Sequence, residues 1–202
     1  MTVSTSAAPP SASVATRDAQ PKADRAGKEA AWHVCEQFAS GQLVIDGVER
    51  YKLVLSGGMG RGKTGLASCV LMERARRGEN VLWVDFSKFI RRIRSTYRED
   101  SILSYEEVVG AAASVPFLLI DDMGDIDAAK TIFDDLRRNV YDVISERYNE
   151  LRLTLITTNL TAAQFRTTFG DRIADRVLHL YYWLDVPGQI CASMTNLQNQ
   201  HK

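Results

Sequence analysis

No stretch of about 18 consecutive apolar residues occurs in the 202-residue chain, which excludes a membrane-spanning helix. No basic stretch followed by an apolar one opens it, so a secretory signal is not expected. Cysteine is scarce. Cys35, Cys69 and Cys191 are far apart and form neither a metal-type pair nor a disulfide framework. That usage suits a reducing cytoplasm, where the protein is expected to act. Charge of neither sign is in excess: 25 Lys and Arg face 25 Asp and Glu, for a formal net charge of +0. A balanced total leaves nucleic-acid binding open, because acids elsewhere can offset a basic stripe. What remains is ordinary for a water-soluble domain, with 45% hydrophobic and 25% charged residues. The length fits one domain with a sizeable core.

Large apolar residues are almost absent from residues 1–27, and aromatic ones are absent altogether. Pro9, Pro10 and Pro21 lie here among Ala, Ser and Thr. Such a segment buries too little surface to offset the entropy of ordering, so a disordered N-terminal tail is expected. Asp18 and Asp24 argue against an organelle transit peptide. A folded domain is expected over 28–186, followed by a C-terminal extension over 187–202.

Within the domain, strand-like and helix-like segments alternate. Ala30, Ala31, Val34, Cys35 and Phe38 are spaced as one helix face, and Gly41 would end that helix. Strands are expected at Lys52–Ser56, Val81–Asp85, Phe117–Asp121, Leu153–Thr157 and Val177–Trp183. Helices are expected at Thr64–Arg77, Lys88–Arg98, Glu106–Ala113 and Thr131–Leu151. This alternation predicts an α/β fold, with helices on both faces of a five-stranded, mainly parallel sheet. Ligands of such sheets bind at the carboxyl ends of the strands, which directs attention to 57–63, 85–88, 121–125 and 158–161.

The most specific segment is Gly57-Gly58-Met59-Gly60-Arg61-Gly62-Lys63-Thr64, between a strand and a helix. It fits G-x-x-x-x-G-K-[ST], a phosphate-binding loop. Glycines let the backbone N–H groups turn inward around phosphate oxygens, and the next helix offers its N-terminus to the same anion. Lys63 would meet the outer phosphates of ATP, and Thr64 would place its hydroxyl on Mg²⁺. The run Phe117–Asp122 buries four apolar residues and ends in two acids. Asp121 is expected to hold Mg²⁺ through water, and Asp122 to orient or deprotonate an attacking water. A full strand separates the two motifs in sequence, as in the ATPase branch where an extra strand parts them in the sheet.

Two further groups have competing readings. Asn159, at the end of LTLITTN, would hold the attacking water or the γ-phosphate; otherwise Thr161 or Asn159 caps the following segment. Arg172 and Arg176 are one helical turn apart in FGDRIADR. Either would neutralise charge on a transferring phosphoryl group, with Arg147 a lesser candidate. On the residues alone, a surface ion-pair set with Asp171 and Asp175 is the simpler reading.

The Lys88–Arg98 segment carries Lys88, Arg91, Arg92, Arg94 and Arg98. On a helix, Arg91, Arg94 and Arg98 would share a face opposite Phe89, Ile93 and Tyr97. That arrangement serves equally as a stripe tracking single-stranded DNA phosphates or as a solvated amphipathic helix. Trp32, Trp83 and Trp183 are expected in the core, and His33, His179 and His201 show no ligand spacing.

GGMGRGKT, FLLIDDMG, ISERYNELRLTLITTN and FGDRIADRV occur in this order. Together they resemble the AAA+ ATPases of the DnaC/DnaI helicase-loader and IstB transposition-helper group, over about Ala31 to Trp183. The resemblance implies a three-layer P-loop NTPase fold of the AAA+/ASCE type. It implies ATP sites shared between subunits of a homo-oligomeric ring or spiral. It makes Lys63 and Thr64 the Walker A residues, Asp121 and Asp122 the Walker B pair, Asn159 the sensor-1 residue and Arg172 the arginine finger. It implies a replicative helicase or a transposase as partner, single-stranded DNA as a ligand, and slow, DNA-stimulated ATP hydrolysis. Three departures stand out. No arginine follows Arg176, so a sensor-2 arginine is missing. Little chain follows Val186, so the lid is expected to be minimal or absent. Asp122 stands where a glutamate is usual, which permits weak turnover or a non-hydrolysing, ATP-switched adaptor.

Overall fold

The computed structural model describes residues 22–98, 100–102, 104–124 and 134–187. The expected tail to residue 21 and the extension from 188 lie outside the described residues. The first helix, α1 (Lys22–Ser40), begins six residues inside the segment whose composition reads as tail. Gly27 lies against Pro187: a Cβ there would come within 2.7 Å of Pro187 Cγ. A two-stranded antiparallel hairpin follows, β1 (Val44–Ile45) and β2 (Val48–Glu49). Asp46 and Gly47 turn it with φ of 53° and 76°, the left-handed pair that a two-residue hairpin loop demands.

The main sheet has five strands: β3 (Lys52–Ser56), β4 (Val81–Asp85), β5 (Phe117–Asp121), β6 (Leu153–Thr158) and β7 (Tyr182–Asp185). Their order is β4-β5-β6-β3-β7, and every neighbouring pair is parallel. The intervening helices are α2 (Lys63–Arg76), α3 (Phe86–Ser95), α4 (Tyr105–Ser114), α5 (Asp134–Asn149), α6 (Ala162–Phe169) and α7 (Asp171–Leu180). Side-chain alternation splits each strand between two cores. Leu53, Leu55, Phe117, Leu119 and Leu155 pack with α1 and α2. Val54, Leu118, Ile120 and Ile156 pack with residues of α3 to α7. With both faces covered, the strands read as continuous apolar runs.

Two sequence expectations change here. Val177–Leu180 is helical, and the fifth strand starts only at Tyr182. Ile173 and Val177 are buried one helical turn apart, so the β-branched run at 177 continues a helix face. Trp32 and Trp83 are exposed (39% and 48%), because Trp32 neighbours the buried face of α1 and Trp83 lies on the edge strand β4. Trp183 does pack inward, edge-on against Phe165 at 5.8 Å.

Candidate nucleotide-binding site

All five strands point their carboxyl ends the same way, so the turns after β3, β5 and β6 meet at one rim. The strand between the β3 loop and the β5 acids is β6. It inserts Thr157, Thr158 and Asn159 between them. The fourth expected segment, 85–88, follows β4 at the edge of the same rim, where Asp85 is paired in register with Asp121. Asp85 Oδ1 accepts from the Lys88 N–H at 2.9 Å and caps α3 on the edge strand.

The loop after β3 takes its shape from glycine. Gly57 has φ of 134°, and a Cβ there would come within 2.9 Å of the Val186 carbonyl oxygen. Gly62, with φ of 85°, opens α2 without any side-chain cap. The first turn of α2 also carries no acid, whereas α4 and α6 close their N-termini with capping boxes at Ser104/Glu107 and Thr161/Gln164. The α2 N-terminus thus offers backbone N–H groups and the positive end of the helix dipole to an anion. Arg61 spans from the loop to the end of β7. Its Nη1 donates to the Val186 carbonyl at 3.1 Å and lies 3.6 Å from Asp185.

Lys63 is buried. Its Nζ donates to the carbonyls of Gly57 (2.7 Å) and Gly58 (2.9 Å) and to Asn159 Oδ1 (2.6 Å). Burial pulls its pKa below the ordinary lysine value, and the charge of Asp122 opposes that shift. Asn159 Nδ2 in turn donates to Asp122 Oδ1 at 2.9 Å. Lysine only donates and a carboxylate only accepts, so a single amide orientation satisfies both neighbours. Asp121 is buried, and its Oδ1 accepts from the hydroxyls of Thr64 (3.0 Å) and Thr157 (2.5 Å). Asp122 is exposed and adopts φ of 56°, a left-handed conformation that Asp tolerates better than most residues. The Asp122 N–H donates to Thr157 Oγ1 at 2.9 Å, and the Met123 N–H to the Thr157 carbonyl at 2.8 Å. Sequence reasoning missed Thr157. Its signal was a polar pair, Thr157 and Thr158, at the end of an otherwise buried strand.

These residues fit a nucleotide phosphate with a hard cation. The loop is side-chain-poor, and a lysine and a helix N-terminus face it. Thr64 and Asp121 supply oxygen ligands within 3.0 Å of each other.

The arginines sort differently from expectation. Arg147 is fully buried, far from any finger role. It donates to the carbonyls of Ala112 (3.0 Å), Val115 (2.6 Å) and Leu153 (2.5 Å), and to Thr154 Oγ1 (2.9 Å). It thus closes the C-terminal end of α4. Burial lowers its pKa to about 10. Asp171 and Asp175 do not pair with Arg172 or Arg176. Arg166 takes both, at 2.8 and 2.7 Å. Arg172 is exposed and Arg176 half-buried, and both lie over the Tyr141 ring.

The basic helix also differs. It starts at Phe86 and stops at Ser95, so Arg98 lies beyond it and does not extend its face. Lys88, Arg91 and Arg92 are exposed, while Arg94 is half-buried. Tyr97 is 59% exposed rather than on the core face. It stacks on Tyr105 at 6.5 Å, and its oxygen accepts from Asn139 Nδ2 at 2.8 Å.

Comparison with known proteins completes the site. The family described as IstB-like ATP binding protein matches residues 36–198. The chain belongs to this family. The chain is also similar to the replicative helicase loader DnaC of Buchnera aphidicola subsp. Baizongia pistaciae (strain Bp). Identity is 26% over 124 residues, which cover 61% of this chain and 49% of that protein. DnaC from Buchnera aphidicola subsp. Acyrthosiphon pisum (strain APS) is 24% identical over 160 residues, covering 79% and 58%. The chain thus spans about half the length of the curated relatives it matches. The crystal structure of a DnaC helicase loader shares the fold, with a TM-score of 0.65 at 22% identity, covering 79% of this chain and 90% of that one. AMPPCP-bound DnaA from Aquifex aeolicus has the same TM-score at 16% identity, covering 79% and 46%. The chain accordingly has the P-loop NTPase-like α/β fold of these structures, a five-stranded parallel sheet flanked by helices.

Proposed function

We propose that this ATP-binding chain hydrolyses ATP slowly and serves as a loader of a replicative helicase in DNA replication. The observation that carries hydrolysis is the Asn159 side chain, which spans Lys63 and Asp122. One amide touches both the lysine expected on the outer phosphates and the carboxylate expected on the attacking water. In this reading the α2 N-terminus and the loop N–H groups cradle the phosphates. Lys63 leaves the loop carbonyls for the outer phosphate oxygens. Asp122 accepts a proton from the water as its oxygen bonds to phosphorus and ADP departs. Thr64 by its hydroxyl and Asp121 through water would hold Mg²⁺, which would neutralise charge on the phosphate oxygens. Arg172 acts on the ATP of a neighbouring subunit in a ring or spiral.

The loader role rests on the names of the curated relatives. Binding to single-stranded DNA rests on Lys88, Arg91 and Arg92, three exposed cations on one short helix. Backbone-tracking contacts of this kind weaken steeply with salt and read little sequence. A second reading, a helper ATPase for a transposase, is favoured by the family match itself. One assay separates the two. The full chain is mixed with the replicative helicase of its own cell, ATP and single-stranded circles, and helicase deposited on the circles is counted. Deposition that requires the chain and ATP supports the loader. Failure to bind the helicase, together with ATP-dependent binding to duplex DNA and a transposase, supports the helper.

A further inference from the structure

Four contacts between α7, α5 and the start of β3 form one continuous ladder. Arg172 lies over the Tyr141 ring with its guanidinium carbon 4.9 Å from the centroid. Arg176 lies over the same ring at 5.2 Å and over the Tyr148 ring at 5.7 Å. Lys52 closes the series over Tyr148 at 5.3 Å. The spacing explains the order. Tyr141 and Tyr148 are seven residues apart on α5 and face one side, and Arg172 and Arg176 are four apart on α7. Arg176 is also fastened by a hydrogen bond, its Nη2 donating to the Tyr141 hydroxyl at 2.9 Å.

The acids that would otherwise compete for these guanidinium groups are engaged elsewhere. Arg166 holds Asp171 and Asp175 together, and His179 lies 3.9 Å from Asp175. Tyr141, Arg172 and Arg176 line an open hollow of about 330 Å³ with Asp175, His179 and Leu180. Arg172 is exposed at its edge.

We infer that Tyr141 is a positioning residue for the arginine finger: its ring carries Arg172 at the surface, and its hydroxyl pins Arg176 beside it. This rests on the reading of Arg172 as a finger acting in trans. A long arginine side chain free in water samples many rotamers. A guanidinium lying on an aromatic face gives up part of that freedom before a neighbouring phosphate arrives. The ring attracts the cation without neutralising it, as a carboxylate would. The charge is thus held in place and stays available to a phosphoryl group on another subunit.

Subunit mixing tests this in the full-length protein. Lys63→Ala subunits have a disabled ATP site and an intact finger. Tyr141→Leu subunits have an intact ATP site and a loosened finger. Each alone should turn over ATP at least tenfold more slowly than wild type, since small misplacements of a catalytic group can cost up to about a hundredfold. Mixed at constant total subunit concentration, they should recover a substantial part of the wild-type rate, because intact sites then face intact fingers. A misfolded Tyr141→Leu subunit could not be rescued in this way. Tyr141→Phe keeps the ring under Arg172 and loses only the hydroxyl that pins Arg176, so it should stay within about threefold of wild type. Arg172→Ala is mixed in parallel. If Arg172→Ala is slow and rescued but Tyr141→Leu is as fast as wild type, or is slow and not rescued, the positioning role is wrong and the finger stands. If Arg172→Ala alone is as fast as wild type, the finger assignment fails and this inference fails with it.

Discussion

The Lys63 ammonium and the Asn159 amide oxygen lie 2.6 Å apart although 96 positions separate them in the chain. The contact exists because β6 is inserted between β3 and β5, so the residue ending β6 faces both motifs at once. Removing the amide should therefore affect the chemical step more than the affinity. Asn159→Ala is expected to bind a fluorescent ATP analogue within a few-fold of wild type. Its single-turnover hydrolysis should fall about a hundredfold, the usual loss for one oriented polar group at a reacting centre. A loss confined to affinity would show that Asn159 serves only to place the lysine.

Thr157 is the hidden joint of the site. Its hydroxyl donates to Asp121 and accepts from the Asp122 N–H, so one buried oxygen aligns both acids. Thr157→Val keeps the shape and removes the joint. Unfolding in urea should show a loss of about 1–3 kcal/mol for the unpaired groups left behind. The Mg²⁺ concentration giving half-maximal turnover should rise. Unchanged Mg²⁺ dependence would leave Thr157 a structural role only.

Arg147 makes a separate, purely structural prediction. It satisfies carbonyls at the end of α4 and the start of β6 from a fully buried position. Arg147→Ala strands those carbonyls in the interior and should cost about 1–3 kcal/mol in denaturant unfolding for each carbonyl left unpaired. Lysine has too few donors in the wrong geometry, so Arg147→Lys should recover less than half of that.

Much of this was legible in the residues. Each strand of the main sheet is an apolar, β-prone run bounded by glycine or by polar residues, and the loop at 57–64 carries its own chemistry. The errors arose where local pattern and tertiary context disagree. Val177 is β-branched yet completes a helix face with Ile173, and only packing against α5 shows which period prevails. Trp83 is bulky and apolar yet sits on an edge strand, and edge position is a property of sheet order. Arg147 looked like any arginine near a helix end. Its burial depends on carbonyls from α4, some thirty residues upstream. The hairpin at Val44–Glu49 is not among the expected elements, although Asp46-Gly47 is a two-residue turn signal.

Lys52 gives the stability a distinctive pH dependence. Burial, and next the charge of Arg147, lower its pKa from 10.5 to about 8. Between these values the unfolded chain binds more protons at this site than the folded one, so stability from Lys52 rises as pH climbs past 8. Cys35 acts oppositely. Burial raises its pKa from 9.0 to about 12, so its contribution falls above pH 9, and the raised pKa of Tyr181 adds to that fall above about pH 10. The unfolding midpoint should therefore climb between about pH 8 and 9 and then level off, as the opposed contributions of Lys52 and Cys35 cancel. Lys52→Met should remove most of the climb and turn the level stretch above pH 9 into a decline. A climb that persists in Lys52→Met would assign it to another group.

The most direct test of the account is ATP turnover measured against protein concentration, with and without single-stranded DNA, for wild type, Lys63→Ala and Arg172→Ala. Specific activity should rise with wild-type concentration, increase further with single strands, and be lost in both variants. Wild-type protein that binds ATP yet turns it over no faster than Lys63→Ala would contradict it, and would make the chain a nucleotide-switched adaptor rather than an enzyme.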